Sequence, residues 1–271
     1  MNQSDFQVMI TTSRSLVKLK RCYESCKLSF ENVYININSL DDSFIEESKE
    51  YCISNNIPYS ITESNGYPSK GKNASMNIAY DQGRTWNIFV DGDDFLGANI
   101  YTRVEKLILN KPETHIGIMV DDNIYYEYKG VPIPSMYRIG ARSMNNYYTN
   151  RLLYRKVNLG ALGTDIRSRI FLFHRSVLRG TEIQHDETVK GFEDMQSILN
   201  YKHLARQREI NLTSFTGSGI YYYDISDDET DHNKALFQKP EEFAQNLVKY
   251  FRRLSGKTNL DYNLETTVQV I

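Results

Sequence analysis

The chain has 271 residues, of which 40% are hydrophobic and 24% are charged, and its formal net charge at pH 7 is -2. This length accommodates one large α/β domain or two small ones. The near-neutral charge does not predict a nucleic-acid or membrane partner, and no apolar run approaches the roughly eighteen residues of a transmembrane helix.

The first ninety or so residues alternate between strands and helices. Runs of apolar and β-branched residues predict strands over 7–12, 33–37, 59–62 and 86–90, and apolar residues at helical spacing predict helices over 15–25, 43–55 and 72–80. Ser43, with Glu46 three residues later, is the expected N-cap of the second helix. The βαβαβαβ order predicts a mostly parallel sheet with helices on both faces.

Three carboxylates directly follow the fourth strand, in Asp91-Gly92-Asp93-Asp94. The carboxyl ends of parallel strands are where open α/β sheets bind ligands, and Gly92 allows a tight turn there. Clustered carboxylates bind hard divalent ions together with substrate phosphates, so the segment predicts a metal-diphosphate site. The alternative is that these acids only form an ordinary turn after the strand. An EF-hand loop is excluded because Leu96 stands where such a loop needs glycine.

The second half of the chain has a looser pattern. Strands are expected over 116–120 and 123–128, joined tightly at Asp121-Asp122, and a terminal helix over 240–254. Residues 138–179 contain nine lysines and arginines but a single acid, Asp165. This asymmetry indicates either a solvated surface or a basic face for an anionic ligand: a donor diphosphate, a phosphorylated acceptor or nucleic acid.

The cysteines and the N-terminus indicate a reducing compartment. Cys22, Cys26 and Cys52 form no CxxC pair, and Cys22 and Cys26 share a helix face, as a buried pair of small hydrophobes would. The N-terminus lacks the basic and apolar regions of a signal peptide. We therefore expect a cytoplasmic protein, in the host cytoplasm if a phage encodes it.

Five segments follow one another in a recognisable order: 11–14, 41–43, 71–79, 86–96 and 191–199. This ordered set of motifs resembles the GT-A-fold, nucleotide-sugar-dependent glycosyltransferases, especially family 2 enzymes, over roughly residues 6–200. The chain departs from the family after the last of these segments. The family often has Tyr-Arg-x-His there, whereas Tyr222-Tyr223-Asp224 lacks the arginine and the nearest histidine is His232.

The resemblance implies a GT-A, Rossmann-like α/β fold with a mixed, mostly parallel sheet flanked by helices. It implies a single domain with an acceptor-side C-terminal extension. Residues 1–110 are then the nucleotide-sugar-binding half, and residues 111–271 are the acceptor-binding half with a C-terminal helix.

The resemblance also implies metal-dependent transfer of a sugar from a nucleoside-diphosphate sugar, first of all a UDP-sugar, to an acceptor hydroxyl with inversion. Asp194, with Glu193 second, is the implied general base, and Mn2+ or Mg2+ is the implied cofactor. The implied metal ligands are Asp93, Asp91 and His232. The implied donor-binding residues are Thr11, Thr12, Arg14, Asp41, Lys72, Asn73, Asp91, Gly92 and Asp93.

Each of these roles has a structural alternative. Acids at a helix start are favourable partners of the helix dipole, Lys72 could be a salt-bridged surface lysine, and an acidic solvated loop explains the surroundings of His232. Asp94 is expected to be a helix cap or a sugar contact. His174, His185 and His203 have no partners at ligand spacing, so no special role is expected of them.

The sequence does not decide whether the acceptor is a glycan, a lipid-linked precursor, a protein or modified DNA. Phage-type enzymes that glycosylate hydroxymethylated cytosine need a basic acceptor face, which residues 138–179 would supply, with Tyr147 and Tyr148 available to stack a flipped base. A sugar nucleotidyltransferase is disfavoured because the loop over residues 11–15 has no glycine. A non-catalytic nucleotide or nucleic-acid binding protein of the same fold remains an alternative.

Overall fold

The structure is a computed structural model that describes residues 1–63, 67–119, 123–128, 131–133, 169–188, 193–215 and 221–224. Its strands are β1 (Phe6–Thr12), β2 (Val33–Ile37), β3 (Tyr59–Ile61), β4 (Trp86–Asp91), β5 (Phe95–Leu96), β6 (Ile116–Met119), β7 (Asn123–Tyr128), β8 (Val131–Ile133), β9 (Arg169–His174), β10 (Leu212–Phe215) and β11 (Tyr221–Asp224). Its helices are α1 (Leu16–Lys27), α2 (Asp42–Ser54), α3 (Pro68–Gln82), α4 (Ile100–Asn110) and α5 (Glu193–Arg206). The predicted helix over 240–254, His232, Tyr147, Tyr148 and most of segment 138–179 lie outside the described residues.

The described strands form a seven-stranded sheet in the order β10-β6-β9-β4-β1-β2-β3. β9 runs antiparallel to its neighbours β4 and β6, and the other pairings are parallel. The prediction of a mixed, mostly parallel sheet flanked by helices is therefore confirmed. A smaller sheet has the order β5-β11-β7-β8, so β6 and β7 belong to different sheets although they follow each other in the chain.

Two helix starts differ from the sequence-based expectation. The carboxylate of Asp41 accepts hydrogen bonds from the backbone N–H groups of Ser43 and Phe44, at 3.0 and 3.2 Å, so Asp41 rather than Ser43 caps α2. Helix α3 begins at Pro68 instead of residue 72, because proline suits the first helical position. Lys72 consequently lies inside the helix, about one turn after its start.

Apolar residues cover both faces of the large sheet. Val8 and Ile10 of β1 pack into one cluster with residues of α1, α2 and α4, whereas Met9 packs into a second cluster with residues of α3 and α5. Successive residues of a strand point to opposite faces, so β1 is buried on both. Cys22, Cys26 and Cys52 are free and buried in the first cluster, as expected for Cys22 and Cys26.

Candidate active site

The turn after β4 is fitted closely against the end of β1. Thr11 pairs with Asp91 in the parallel register, and the Gly92 N–H donates to the Thr11 carbonyl at 2.7 Å. A Cβ atom added to Gly92 would lie 2.5 Å from the Thr12 Cβ and 2.9 Å from its Cα. Glycine is therefore required here, as predicted, and the turn holds Asp91 at the carboxyl edge of the sheet.

Asp94 anchors the same turn to the smaller sheet. Its side chain is fully buried and accepts a hydrogen bond from the Tyr221 hydroxyl of β11, while its N–H donates to the Asp91 carbonyl at 2.9 Å. Helix α4 instead begins after Asn99, so the expectation that Asp94 caps a helix is wrong. The last carboxylate of the motif is a structural link between the two sheets.

Lys72 joins the two acidic motifs. Its Nζ lies 2.6 Å from Asp194 Oδ1, 2.9 Å from Glu193 Oε1 and 3.7 Å from Asp91 Oδ1. The lysine is largely buried, with 16% of its side chain exposed, and Glu193 is 9% exposed, whereas Asp194 is 47% exposed. The chain thus brings the end of β4, the first turns of α3 and the start of α5 to one place.

The ionisation of this cluster follows from burial and charge. Burial lowers the pKa of Lys72, but the carboxylates of Asp194, Asp91 and Glu193 outweigh it and hold that pKa well above its ordinary value. Burial raises the pKa of Glu193 more than the Lys72 ammonium lowers it. Three carboxylates therefore share the Lys72 ammonium.

His185 lies beside this cluster, where the sequence predicted no role for it. Its backbone N–H donates to Asn73 Oδ1 at 2.8 Å, and its carbonyl accepts from Asn73 Nδ2 at 2.9 Å. Its Nδ1 lies 2.7 Å from Ser197 Oγ. Burial, and then the Lys72 charge, lower the pKa of His185 to about 4, so its imidazole is neutral near pH 7. These partners are tertiary, which is why spacing along the sequence could not reveal them.

These groups surround an open cleft with a volume of about 500 Å3, including the solvent space at its opening. The cleft is lined by Thr11, Lys72, Met76, Phe89, Val90, Asp91, Phe173, His185, Asp194 and Tyr221. Four of the sequence-predicted site residues are therefore on its wall: Thr11, Lys72, Asp91 and Asp194. Thr12, Gly92 and Glu193 adjoin it through the contacts described above. Tyr221, like His185, had no signal in the sequence.

Other predicted residues lie in different surroundings. Arg14 is exposed, Asp41 caps α2, and the Asn73 amide holds the loop around His185 and Glu187. Asp93 is half-buried in the turn. The donor-binding roles of these residues stay predictions.

Two arginines of the basic segment lie away from the cleft. Arg175 donates to the Tyr80 carbonyl at 2.9 Å, and Arg179 pairs with Asp81 at 2.5 Å. Both guanidinium groups stack on the Tyr80 ring, 4.2 Å from its centroid. Because these partners belong to the last turn of α3, whereas Lys72 lies near its start, Arg175 and Arg179 sit at the far edge of the sheet from Asp91.

The turn after β4 offers the donor atoms that a hard divalent ion prefers. Asp91 and Asp93 provide carboxylate oxygens, and Mg2+ and Mn2+ complete such a set with water and substrate phosphates. Among the described residues, no group of three or more histidine, cysteine, aspartate or glutamate side chains could hold a metal alone. The residues therefore fit an ion shared with a phosphorylated ligand. His232, the other predicted ligand, is outside the described ranges.

Solved structures share this fold. The match to TarS residues 1–349 of S. aureus in complex with UDP-GlcNAc covers 97% of this chain and 69% of that chain, with a TM-score of 0.54 and 15% identity. A longer TarS structure matches with a TM-score of 0.52 and 16% identity, and the chain spans 41% of its length. No protein-family model matches the sequence, and no curated protein matches it significantly.

A mannosyltransferase has the same fold. The enzyme PcManGT from Pyrobaculum calidifontis, in complex with GDP-Man and Mn2+, matches 92% of the chain and is covered over 64% of its own length. The TM-score is 0.53 and the identity is 11%. The predicted fold class is thereby confirmed. In the described part of the chain, none of the helices combines the length and apolar character needed to span a bilayer.

Proposed function

We propose that this chain is a metal-dependent glycosyltransferase that moves a sugar from a nucleoside-diphosphate sugar, first of all a UDP-sugar, to an acceptor hydroxyl. The observation that carries the proposal is the Lys72 bridge between Asp91, at the end of β4, and Glu193 and Asp194, at the start of α5. A metal-diphosphate site and a general base must face each other across the transferred sugar. The presence of Asp91 and Asp194 on the wall of one cleft supports this arrangement.

The proposed chemistry divides between the two acidic motifs. Asp91 and Asp93 would hold Mn2+ or Mg2+, which when bound neutralises the charge developing on the diphosphate leaving group. Asp194 takes the proton of the acceptor hydroxyl while the oxygen of that hydroxyl forms a bond to the anomeric carbon. The bond from that carbon to the phosphate oxygen breaks, and its electron pair leaves with the diphosphate. Attack from the side opposite the leaving group inverts the anomeric configuration.

The other wall residues support this arrangement. Lys72 hydrogen-bonds Asp194 and Glu193 and so orients both carboxylates at the start of α5. Met76, Phe89 and Phe173 make part of the wall apolar, which limits the water that could compete with the acceptor. TarS and PcManGT are solved with UDP-GlcNAc and GDP-Man, respectively, and these are the first donors to test.

The acceptor is proposed only as a hydroxyl-bearing molecule. Arg175 and Arg179 bind α3 at the far edge of the sheet, so these two residues do not favour a DNA acceptor over a glycan. A panel of candidate hydroxyl-bearing acceptors, the hydroxyl panel, should therefore include both simple glycans and duplex DNA that contains hydroxymethylcytosine.

The proposal is tested with Asp194→Asn. We expect this variant to transfer sugar from UDP-GlcNAc or GDP-Man, with Mn2+, to the hydroxyl panel about 100- to 10,000-fold more slowly than the wild type. Donor binding, measured by calorimetry, should remain nearly intact, since the amide keeps the size of the side chain. NMR of the product should show the inverted anomer.

Asp81→Asn provides the matched control, because Asp81 pairs with Arg179 away from the cleft. It should transfer sugar at the wild-type rate. Equal loss of donor binding and transfer in Asp194→Asn would contradict the assignment of Asp194 as the base.

A further inference from the structure

His185 is a cleft residue that the proposed chemistry has not used. His185 lies on the cleft wall together with Lys72, Asp91 and Asp194. The residue is 7% exposed, and the Asn73 amide fixes its backbone through two hydrogen bonds. The backbone of His185 is thus anchored on the cleft wall that Asp91 and Asp194 share.

The hydrogen bonds of Ser197 support one assignment of the ring proton of His185. Ser197 Oγ donates its single proton to the Glu193 carbonyl at 2.9 Å. The same oxygen lies 2.7 Å from His185 Nδ1 and then accepts there, which assigns the proton of the neutral ring to Nδ1. In the neutral ring, Nε2 then carries a lone pair and can only accept a hydrogen bond.

The acceptor nitrogen is available to a ligand. Among the described residues the ring of His185 hydrogen-bonds Ser197 through Nδ1, which leaves Nε2 for a ligand, and His185 is one of the residues that line the cleft. The lowered pKa of His185, caused by burial and by Lys72, agrees with a ring that stays neutral in the working protein.

We propose that His185 determines donor specificity by accepting, at Nε2, a hydrogen bond from a hydroxyl group of the transferred sugar. The inference rests on the proposed glycosyltransferase function. The sugar must lie between the diphosphate held near Asp91 and the base Asp194, and His185 shares the cleft wall with both. A neutral acceptor among charged neighbours selects an O–H donor, because a phosphate oxygen brings no proton to share.

The test compares ligands with and without the sugar. Calorimetry with Mn2+ measures the binding of UDP, UDP-GlcNAc, GDP and GDP-Man to the wild type, His185→Phe and His185→Gln. Phenylalanine keeps the ring volume but removes the acceptor, whereas glutamine can restore an acceptor atom. Whichever nucleotide sugar the wild type binds should bind His185→Phe roughly threefold to tenfold more weakly. The matching nucleotide without sugar should bind it unchanged, and His185→Gln should recover part of the loss.

Each other outcome overturns the inference in a distinct way. Equal weakening of the nucleotide and the nucleotide sugar in His185→Phe would make His185 a structural residue of the fold. Unchanged binding of both, with slower transfer alone, would move its contact from the sugar to the acceptor. Failure of the wild type to bind any of the four ligands would remove the proposed function itself, and this inference with it.

Discussion

Replacing Lys72 by methionine should destabilise the protein through its carboxylate partners. Removing one partner of a buried ion pair costs about 3–5 kcal/mol. Asp194 is 47% exposed and Asp91 is 32% exposed, so solvent screens their share, and most of the loss comes from Glu193, which is 9% exposed. We therefore expect the free energy of unfolding at pH 7 to fall by about 2–3 kcal/mol.

The loss of stability in Lys72→Met should increase as the pH rises. Burial already raises the pKa of Glu193, and removing Lys72 takes away the contribution that lowers it. A carboxyl group whose pKa is raised in the folded state binds more protons there than in the unfolded chain. It therefore costs stability as the pH rises from its unfolded pKa, about 4.5, through its folded pKa. The stability difference between wild type and Lys72→Met should be small at pH 5 and larger at pH 8.

Urea titrations of the two proteins at pH 5 and pH 8 measure this difference. Lys70→Met, on the same helix but outside the cleft wall, is the matched control and should change stability little. Lys72→Arg, which keeps the positive charge, should recover part of the loss. A pH-independent loss, or a loss no larger than that of Lys70→Met, would refute the electrostatic account of the cluster.

Three further predictions concern the residues around the cleft. Gly92→Ala places a Cβ 2.5 Å from Thr12 Cβ, so thermal unfolding should show a loss of about 1–3 kcal/mol, and an unchanged melting temperature would contradict the close fit. Tyr221→Phe removes a hydrogen bond to buried Asp94 and should lower the free energy of unfolding, measured in urea, by about 1–3 kcal/mol. The control Tyr222→Phe should change it little, and equal effects of the two variants would argue against the link between the sheets. His185 should lower the free energy of unfolding of the wild type by about 2 kcal/mol between pH 7 and pH 5. Its folded pKa of about 4 lies below its unfolded value of 6.5, so the unfolded chain gains the proton first as the pH falls. In His185→Phe this part of the pH dependence should vanish, and identical pH slopes in urea titrations would count against it.

The sequence predicted β1 to β4, β6 and β7 well because these strands are short apolar runs bounded by polar turns. β2 is an example, since the predicted range 33–37 is the observed one. The sequence did not predict β5, β8 to β11 or helix α4. Helix ends were less predictable, because a cap is decided by geometry: either Asp41 or Ser43 could cap α2, and only the backbone path makes Asp41 the acceptor. The fold class followed from the order of the motifs, which low overall identity does not erase.

The candidate site was only partly predictable. The acids of Asp91-Gly92-Asp93-Asp94 could be identified because they follow a strand, whereas Glu193 and Asp194 were identified through the resemblance to the family's helix start. Lys72 joins these two acidic motifs through tertiary contacts. The Ser197 hydrogen bond from which the tautomer of His185 is assigned is also a tertiary contact. The sequence predicts Asp94 to be a helix cap or a sugar contact, yet Asp94 is buried against Tyr221 and links the two sheets. Such differences arise from packing, which local sequence does not record.

Metal-dependent nucleotide binding tests the central claim most directly. UDP, GDP, CDP and dTDP, each with and without Mn2+, should be compared by thermal shift on wild type, Asp93→Ala and the control Asp81→Ala. We expect one nucleotide to stabilise the wild type by about 2.7 kcal/mol at 100 times its dissociation constant, only with Mn2+. Asp81→Ala should respond in the same way, and Asp93→Ala should not. The absence of a shift with every nucleotide would reduce the segment Asp91-Gly92-Asp93-Asp94 to a turn and contradict the glycosyltransferase proposal.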